Sequence, residues 1–300
     1  MELKGTRIPR SRRLTVLKGT VVTGGTLILA ATELVTLTGA AVGSAVMRSQ
    51  PGAVGVSQQV TTALVPTAVE RQTLAPTGTL RIGVFPGPTS MIRVSGEMTG
   101  FAFEVGRDLA RRLGVPFAVI EFPQMIGVLD AMGEGLVDVT TANPNPERAQ
   151  SVDFMGTMVQ VELGYLVAPG SHILTQEAVD QPGIRVGATA RGASLLLLTR
   201  DLKQASVVPV VSPAAAGEML AVGRLDAYAS NKPVLFDIAK NLPGARVLEG
   251  RRGIEDLAIA IPKGRERGAD FINRFVTAAR SEGLMREVTR RARIPGVVPE

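Results

Sequence analysis

The 300-residue chain contains no cysteine and no tryptophan, one histidine and two tyrosines. Without cysteine there can be no disulfide, thiol nucleophile, thiolate-bound metal or lipid-modified N-terminal cysteine. The lone His172, after Pro169-Gly170-Ser171, reads as a loop residue and is too little for a histidine metal site or a Ser-His-Asp triad. Aromatic residues make up 4% of the chain and are not interleaved with Lys/Arg anywhere, which excludes a base-stacking nucleic-acid surface. The net charge of +6 is concentrated at one end. Residues 1–45 carry Lys4, Arg7, Arg10, Arg12, Arg13 and Lys18 against Glu2 and Glu33, leaving 27 basic and 25 acidic residues elsewhere. The C-terminal group Arg286, Arg290, Arg291 and Arg293 reads as a solvated helix end, where cations favour the helix dipole. No nucleic-acid partner is expected.

The hydrophobic share of 45% and charged share of 20% are ordinary for a globular protein, and the length suits two domains or one large one. Residues 1–45 read as an export signal. A basic stretch precedes Thr20–Val46, apolar and small except for Glu33, and Gly43-Ser44-Ala45 is a small-residue cleavage site. Ser11 to Lys18 resembles a twin-arginine signal, with Thr15 where Phe is usual. The alternative is an uncleaved N-terminal anchor, in which Glu33 would cost a few kcal/mol at mid-bilayer. Either outcome places the rest outside the cytoplasm, in the periplasm. Residues 46–77, rich in Ser, Gln, Thr, Val and Pro, read as a loosely ordered linker.

From Thr79 onward strands and helices alternate, which predicts an α/β fold with mainly parallel sheets. The pattern occurs twice. Each half has a helix ending in Gly-x-x-Asp, Gly135-Leu136-Val137-Asp138 and Gly223-Arg224-Leu225-Asp226, followed by a strand with a polar end. Two such lobes create a cleft at the carboxyl ends of their strands. The stretch Val137–Phe154 is the most informative. A β-branched strand ends at Thr141, Asn143-Pro144-Asn145-Pro146 blocks helix and ladder alike, and Glu147-Arg148 restarts a turn. Hydroxyls and amides followed by a planar fork with five donors suit a small anion. Taken alone, the same arginine reads better as a solvated turn residue.

These segments together carry a family resemblance. Leu80-Arg81-Ile82-Gly83-Val84, Thr99-Gly100-Phe101 with Leu109 to Gly114, the two Gly-x-x-Asp segments, Pro146-Glu147-Arg148-Ala149 with Val152-Asp153-Phe154, and Ser281-Glu282-Gly283-Leu284 match in order and spacing. The chain over residues 78–290 resembles the extracytoplasmic solute-binding proteins of polar amino-acid ABC importers. The resemblance implies a two-lobed type II periplasmic-binding fold, each lobe a mainly parallel sheet flanked by helices, with two crossing strands as hinge. Residues 78–162 plus 257–300 would form lobe one and residues 163–256 lobe two. It implies a binding protein rather than an enzyme, no cofactor or metal, and a membrane permease as partner.

By the same resemblance, Arg148 holds a ligand carboxylate, and Thr141, Asn143 and Asn145 complete that pocket. Ala193 and Ser194, opening a lobe-two helix, give backbone N–H groups to the same carboxylate. Arg191 either adds a second cation or points to solvent. The departures lie at the other end of the ligand. Where the family places an aspartate for an α-ammonium, this chain has Asn231 followed by Lys232. That substitution argues for a small organic anion held by Arg148 and Lys232, unless Lys232 only flanks helix 233–241. The family's stacking aromatic gives way to residues around Pro88–Met91, and its tryptophan to Met125. The runner-up is a periplasmic cyclohexadienyl or arogenate dehydratase-like lyase. It would need a carboxylate general acid, for which Glu104, Glu162 and Glu218 are candidates without a context that singles out a raised pKa.

Overall fold

The computed structural model of the chain describes residues 64–190 and 192–298. The export signal or anchor at 1–45, most of the linker and Arg191 lie outside the described residues. No helix among the described residues is long and apolar enough to cross a membrane.

The expected linker 46–77 stops short of its predicted end, because helix α1 (Ala68–Leu74) forms within it. Thr67 Oγ1 accepts from the Glu70 N–H at 3.1 Å, and the Glu70 carboxylate accepts from the Thr67 N–H at 2.7 Å, a reciprocal capping box. Leu74 is buried, Arg71 donates to the Leu113 carbonyl, and Arg274 pairs with Glu70. Seven residues are too few to show helical periodicity, and the capping pair was the one available signal.

The first lobe continues with β1 (Leu80–Val84), β2 (Ile92–Val94), β3 (Glu97–Thr99), α2 (Phe101–Leu113), β4 (Phe117–Glu121), α3 (Met125–Gly133) and β5 (Thr140–Ala142). β1 pairs in parallel with β4, and Val139 bridges Ile82 on its other side. β2 and β3 form a ribbon that the sequence reading did not anticipate. Its turn residues Ser95 and Gly96 both have positive φ, as a tight hairpin requires. Helix α2 buries Phe101, Val105, Leu109 and Leu113 and stops at Gly114 in the left-handed region.

The chain then runs through β6 (Val152–Val167), β7 (Arg185–Thr189), α4 (Ala193–Asp201), β8 (Ser206–Val210), α5 (Pro213–Ala221), β9 (Ala227–Asn231) and α6 (Lys232–Lys240). It closes with β10 (Arg246–Val247), β11 (Gly253–Pro262), α7 (Ala269–Ser281) and α8 (Leu284–Arg291). Helices α7 and α8 are separated at Gly283, whose φ is positive. Strands β8, β7 and β9 form the second parallel set. In each lobe the sheet lies between two apolar clusters, one on each face, which is the layering of a doubly wound α/β unit.

The fold is the two-lobed type II arrangement, and β6 and β11 are its crossing strands. They are 16 and 10 residues long and pair antiparallel with each other. β11 also pairs with β5 in the first lobe, and β6 with β9 in the second. At the β5 attachment the β6–β11 register slips twice, leaving Met158 and Gly156 as extra residues on β6. Gly156 has φ +44°, and a Cβ there would stand 2.8 Å from Val276 Cγ2.

The repeated Gly-x-x-Asp has a structural explanation. Asp138, fully buried, accepts from the Arg81 N–H at 2.9 Å, from Arg81 Nε and Nη2 at 2.8 and 2.7 Å, and from Arg265 Nη1 at 2.8 Å. Asp226 accepts from the same three donors of Arg185 at 2.8, 2.9 and 2.9 Å. Each aspartate ties the chain leaving a helix to the arginine that opens its lobe's first strand, by charge-assisted bidentate bonds.

Candidate functional site

The carboxyl ends of β1, β5, β7 and β9 open onto one cleft of about 1040 Å³. Phe85 to Thr89 come from the end of β1, Thr141 to Asn143 from β5, Thr189 and Ala190 from β7, and Ser230 and Asn231 from β9. Crossing strand β11 contributes Glu255 and Leu257, and Met125, Ile126 and Leu129 form an apolar wall. The aromatic on that wall is Phe85 rather than a residue of 88–91, where Met91 is buried behind the surface.

Arg148 is positioned by the residues that break the chain after β5. Asn145 Oδ1 accepts from the Arg148 N–H at 2.9 Å and starts the 3-10 turn Arg148–Gln150. The guanidinium donates to the Asn143 carbonyl at 3.2 Å and to Asn143 Oδ1. It lines the cleft half-buried, and no carboxylate among the described residues forms an ion pair with it. Burial pushes its pKa down, against the attraction of Glu255 and Glu147. A guanidinium does not lose its proton in a protein. The downward pull therefore marks a charge stripped of part of its hydration with no anion in contact, and an incoming anion offsets that cost. Thr141, in the same wall, is 2% exposed and its hydroxyl has no partner. An orphaned buried hydroxyl costs about 1–3 kcal/mol until something bonds it.

The predicted residues are not all gathered here. Thr141, Asn143, Arg148, Ser194 and Asn231 line the cleft. Asn145 does not; it braces the arginine turn, and its buried Nδ2 has no partner. Ala193 is the first residue of α4, whose N-terminus opens at the cleft beside Gly192 and Ser194. Gly192 is required at that turn, since a Cβ would meet the Thr189 carbonyl at 2.9 Å.

Lys232 is absent from the cleft wall. Its Nζ bonds Glu162 at 2.5 Å, with Arg251 on the other carboxylate oxygen at 3.5 Å, and its side chain is 13% exposed. The Lys232 hydrogen bond holds the Glu162 pKa down. A long side chain at the start of α6 reaches back over β6 to an acid that sequence spacing could not place beside it.

The sequence reading overlooked Glu255. On β11 it shares a face with Leu257, while Asp256 between them turns the other way to Gln160. Asn231 caps α6 by accepting from the Val234 N–H at 3.2 Å, which directs its Nδ2 to Glu255 Oε1 at 2.9 Å. Burial raises the Glu255 pKa, while Asn231, Arg148 and Arg252 oppose the rise. The expectation that no carboxylate would have a context raising its pKa is therefore corrected. Of the acids considered earlier, Glu104 is buried in α2 against Arg107 and Thr99, Glu162 is paired, and Glu218 is exposed on the cleft rim. No group of three or more histidine or acidic residues among the described residues could hold a metal ion.

The chain is 26% identical over 201 residues to a probable amino-acid ABC transporter-binding protein of Haemophilus influenzae, covering 65% of this chain and 76% of that protein. It is 23% identical over 220 residues to the L-cystine-binding protein TcyJ of Escherichia coli K12, covering 71% and 82%. Among solved structures, a solute receptor for L-cysteine of Neisseria gonorrhoeae superposes with a TM-score of 0.65 at 22% identity, covering 78% of this chain and all of that one. An ancestral amino-acid-binding protein, a precursor of cyclohexadienyl dehydratase, superposes at 0.62 and 24% identity, covering 74% and 97%. The model of the bacterial extracellular solute-binding proteins, family 3, matches residues 80–292, and the chain belongs to that family.

Proposed function

We propose that this protein is the periplasmic binding component of an ABC importer, capturing a small carboxylate-bearing, amino-acid-like solute and passing it to a membrane permease. The observation that carries the reading is Arg148, a half-buried guanidinium braced by Asn143 and Asn145 and in no direct ion pair with a carboxylate among the described residues. A carboxylate docking there meets the Thr141 hydroxyl on the same lobe and the N-terminus of α4, at Ala193 and Ser194, on the other. One head group then touches both lobes. Its greater affinity for the closed arrangement shifts the hinge equilibrium in β6 and β11. Moving such an equilibrium from 1:99 to 99:1 takes about 5.5 kcal/mol, which two or three charge-assisted hydrogen bonds at about 1.5–3 kcal/mol each can supply.

The names of the relatives, which include amino-acid and L-cystine binding, support an amino-acid-like solute. A purely anionic solute loses support, because Lys232 is engaged by Glu162. A thermal-shift screen of amino acids against mono- and dicarboxylates tests the reading. Some carboxylate-bearing compound is expected to stabilise the protein, and Arg148→Ala to abolish the shift. A second reading, as a lyase of the dehydratase type, rests on Glu255, since a carboxyl whose burial favours its proton can serve as a general acid. Prephenate turnover by the purified protein, lost in Glu255→Gln, would establish it.

A further inference from the structure

We infer that the segment after α8, residues 294–298, is a strap across the hinge that favours the open arrangement of the lobes, with Glu162 and Lys232 as its clasp. The inference rests on the hinge-closure reading of solute capture and adds to it an element that sets how readily the lobes close.

Helix α8 ends at Arg291, and Arg293 adopts the left-handed region, with φ +48°, which turns the chain back toward β6. Ile294 and Val297 pack against the lobe-one core, so the segment belongs to that lobe. Its backbone, however, pairs with a crossing strand. The Glu162 N–H donates to the Gly296 carbonyl at 2.7 Å, the Val298 N–H donates to the Gln160 carbonyl at 2.9 Å, and Val297 bridges Val161 antiparallel. One residue further along β6, Leu163 pairs with Asn231 of β9, in lobe two. Between Glu162 and Leu163 this strand therefore passes from a lobe-one partner to a lobe-two partner, and closure turns one against the other there.

The clasp joins the two sides. Gly296, with φ +74°, lies so close to Lys232, the first residue of α6 in lobe two, that a Cβ there would stand 2.5 Å from Lys232 Cβ and 3.2 Å from its Cδ. The Lys232 ammonium bonds the Glu162 carboxylate at 2.5 Å, so Glu162 holds the strap by its N–H and the lysine by its side chain. This contact between the lobes is made at one rotation of lobe two about β6. An interaction present in only one of two states biases the equilibrium toward that state. Here that state is the open one. A cleft of about 1040 Å³ exceeds the pockets of about 300–1000 Å³ that enclose drug-sized ligands, and an amino-acid-like solute is smaller still. Lys232 thus acts on solute affinity without touching the solute.

The test compares wild type with a chain stopped after Pro295, which keeps Ile294 in the core, and with Lys232→Ala, which removes the contact between the lobes and leaves the strap in place. The chain has no cysteine, so Asp130→Cys, at an exposed position of α3 on the cleft rim, carries a single spin label in all three proteins. Paramagnetic relaxation is read without solute at the amides of α5, which lines the same cleft from lobe two. Both variants are expected to raise that relaxation at least twofold, because the closed state gains population. Both should also tighten binding at least threefold in isothermal titration with whichever of L-cystine, L-cysteine, L-glutamate, L-glutamine and L-arginine wild type binds. Relaxation unchanged or lowered in either folded variant overturns the inference, as does affinity unchanged or weakened. If the stopped chain failed to fold, Lys232→Ala would decide by the same two readings. If wild type bound none of the five amino acids, the amino-acid reading of the cleft would fall, and relaxation of the solute-free proteins alone would decide the strap.

Discussion

Replacing Arg148 by alanine should uncouple binding from folding. Truncating one partner of a buried, hydrogen-bonded charge pair costs about 2–5 kcal/mol of binding free energy. At 1.4 kcal/mol per tenfold, that is a loss of roughly 30-fold to several thousandfold in affinity. Arg148→Lys keeps the charge but loses the planar fork, and should fall about ten- to a hundredfold. The ligand-free protein should hardly notice either change. The alanine variant forfeits two bonds to Asn143, at about 1 kcal/mol net each, but also removes a guanidinium whose burial is offset only in part by the attraction of Glu255 and Glu147. These terms oppose each other, so the net change should stay within about 1 kcal/mol, or about 2–4 °C in melting temperature for a domain of this size. A ligand at a hundred times its Kd stabilises by about 2.7 kcal/mol, a shift that should be plain in wild type and absent in Arg148→Ala. Titration calorimetry together with differential scanning fluorimetry measures both quantities. Affinity within threefold of wild type, or an apo melting temperature lowered by 10 °C or more, would refute the assignment of Arg148 as an anchor with no structural duty.

Further outcomes are expected at sites away from the cleft. Asp138→Asn should cost about 3–5 kcal/mol in urea denaturation, since it removes the fully buried anion shared by two part-buried arginines. Asp226→Asn, at a site with 29% exposure, should cost clearly less. The Arg185 hydrogen bonds hold the Asp226 pKa below 3.8 in the folded state, so its ionised form stabilises above that value and the contribution is lost as pH falls through the lower folded value. Acid denaturation curves of wild type should accordingly lose more stability below about pH 3.8 than those of Asp226→Asn. Gly156→Ala should destabilise by about 1–3 kcal/mol through its positive φ and the Val276 contact, read from chemical denaturation. Thr67→Ala should cost about 1 kcal/mol by removing the α1 cap, and faster proteolysis around residue 67 would report it.

The repeating elements were legible because their signals are local. Gly114 and Pro116 stop α2, Gly135 and Gly223 place positive φ after α3 and α5, and the β-branched run at Asp138–Thr141 leads into β5. Short elements were not: α1 has seven residues, and β2 and β3 have three each. In the site, Arg148, Asn143 and Thr141 were readable because one stretch of chain holds all three. Lys232 was misread because its partner Glu162 is 70 residues away, on a strand whose pairing with β9 no local pattern discloses. Glu255 was passed over for a related reason. Alternation placed it with Leu257, but nothing in Gly253-Ile254-Glu255-Asp256-Leu257 says which side of that strand borders the cleft.

The sequence by itself determined the α/β alternation, the twofold repeat, the absence of thiol chemistry and the arginine turn at 148, since each depends on residues within a turn or two of one another. Only the tertiary structure decided the polarity of the cleft. Charges act through space, and the packing of β6, β9 and β11 removes Lys232 from the cleft wall and brings Glu255 to it. The cleft thereby holds a carboxyl group as well as the Arg148 guanidinium, and not the two cations that the sequence alone suggests.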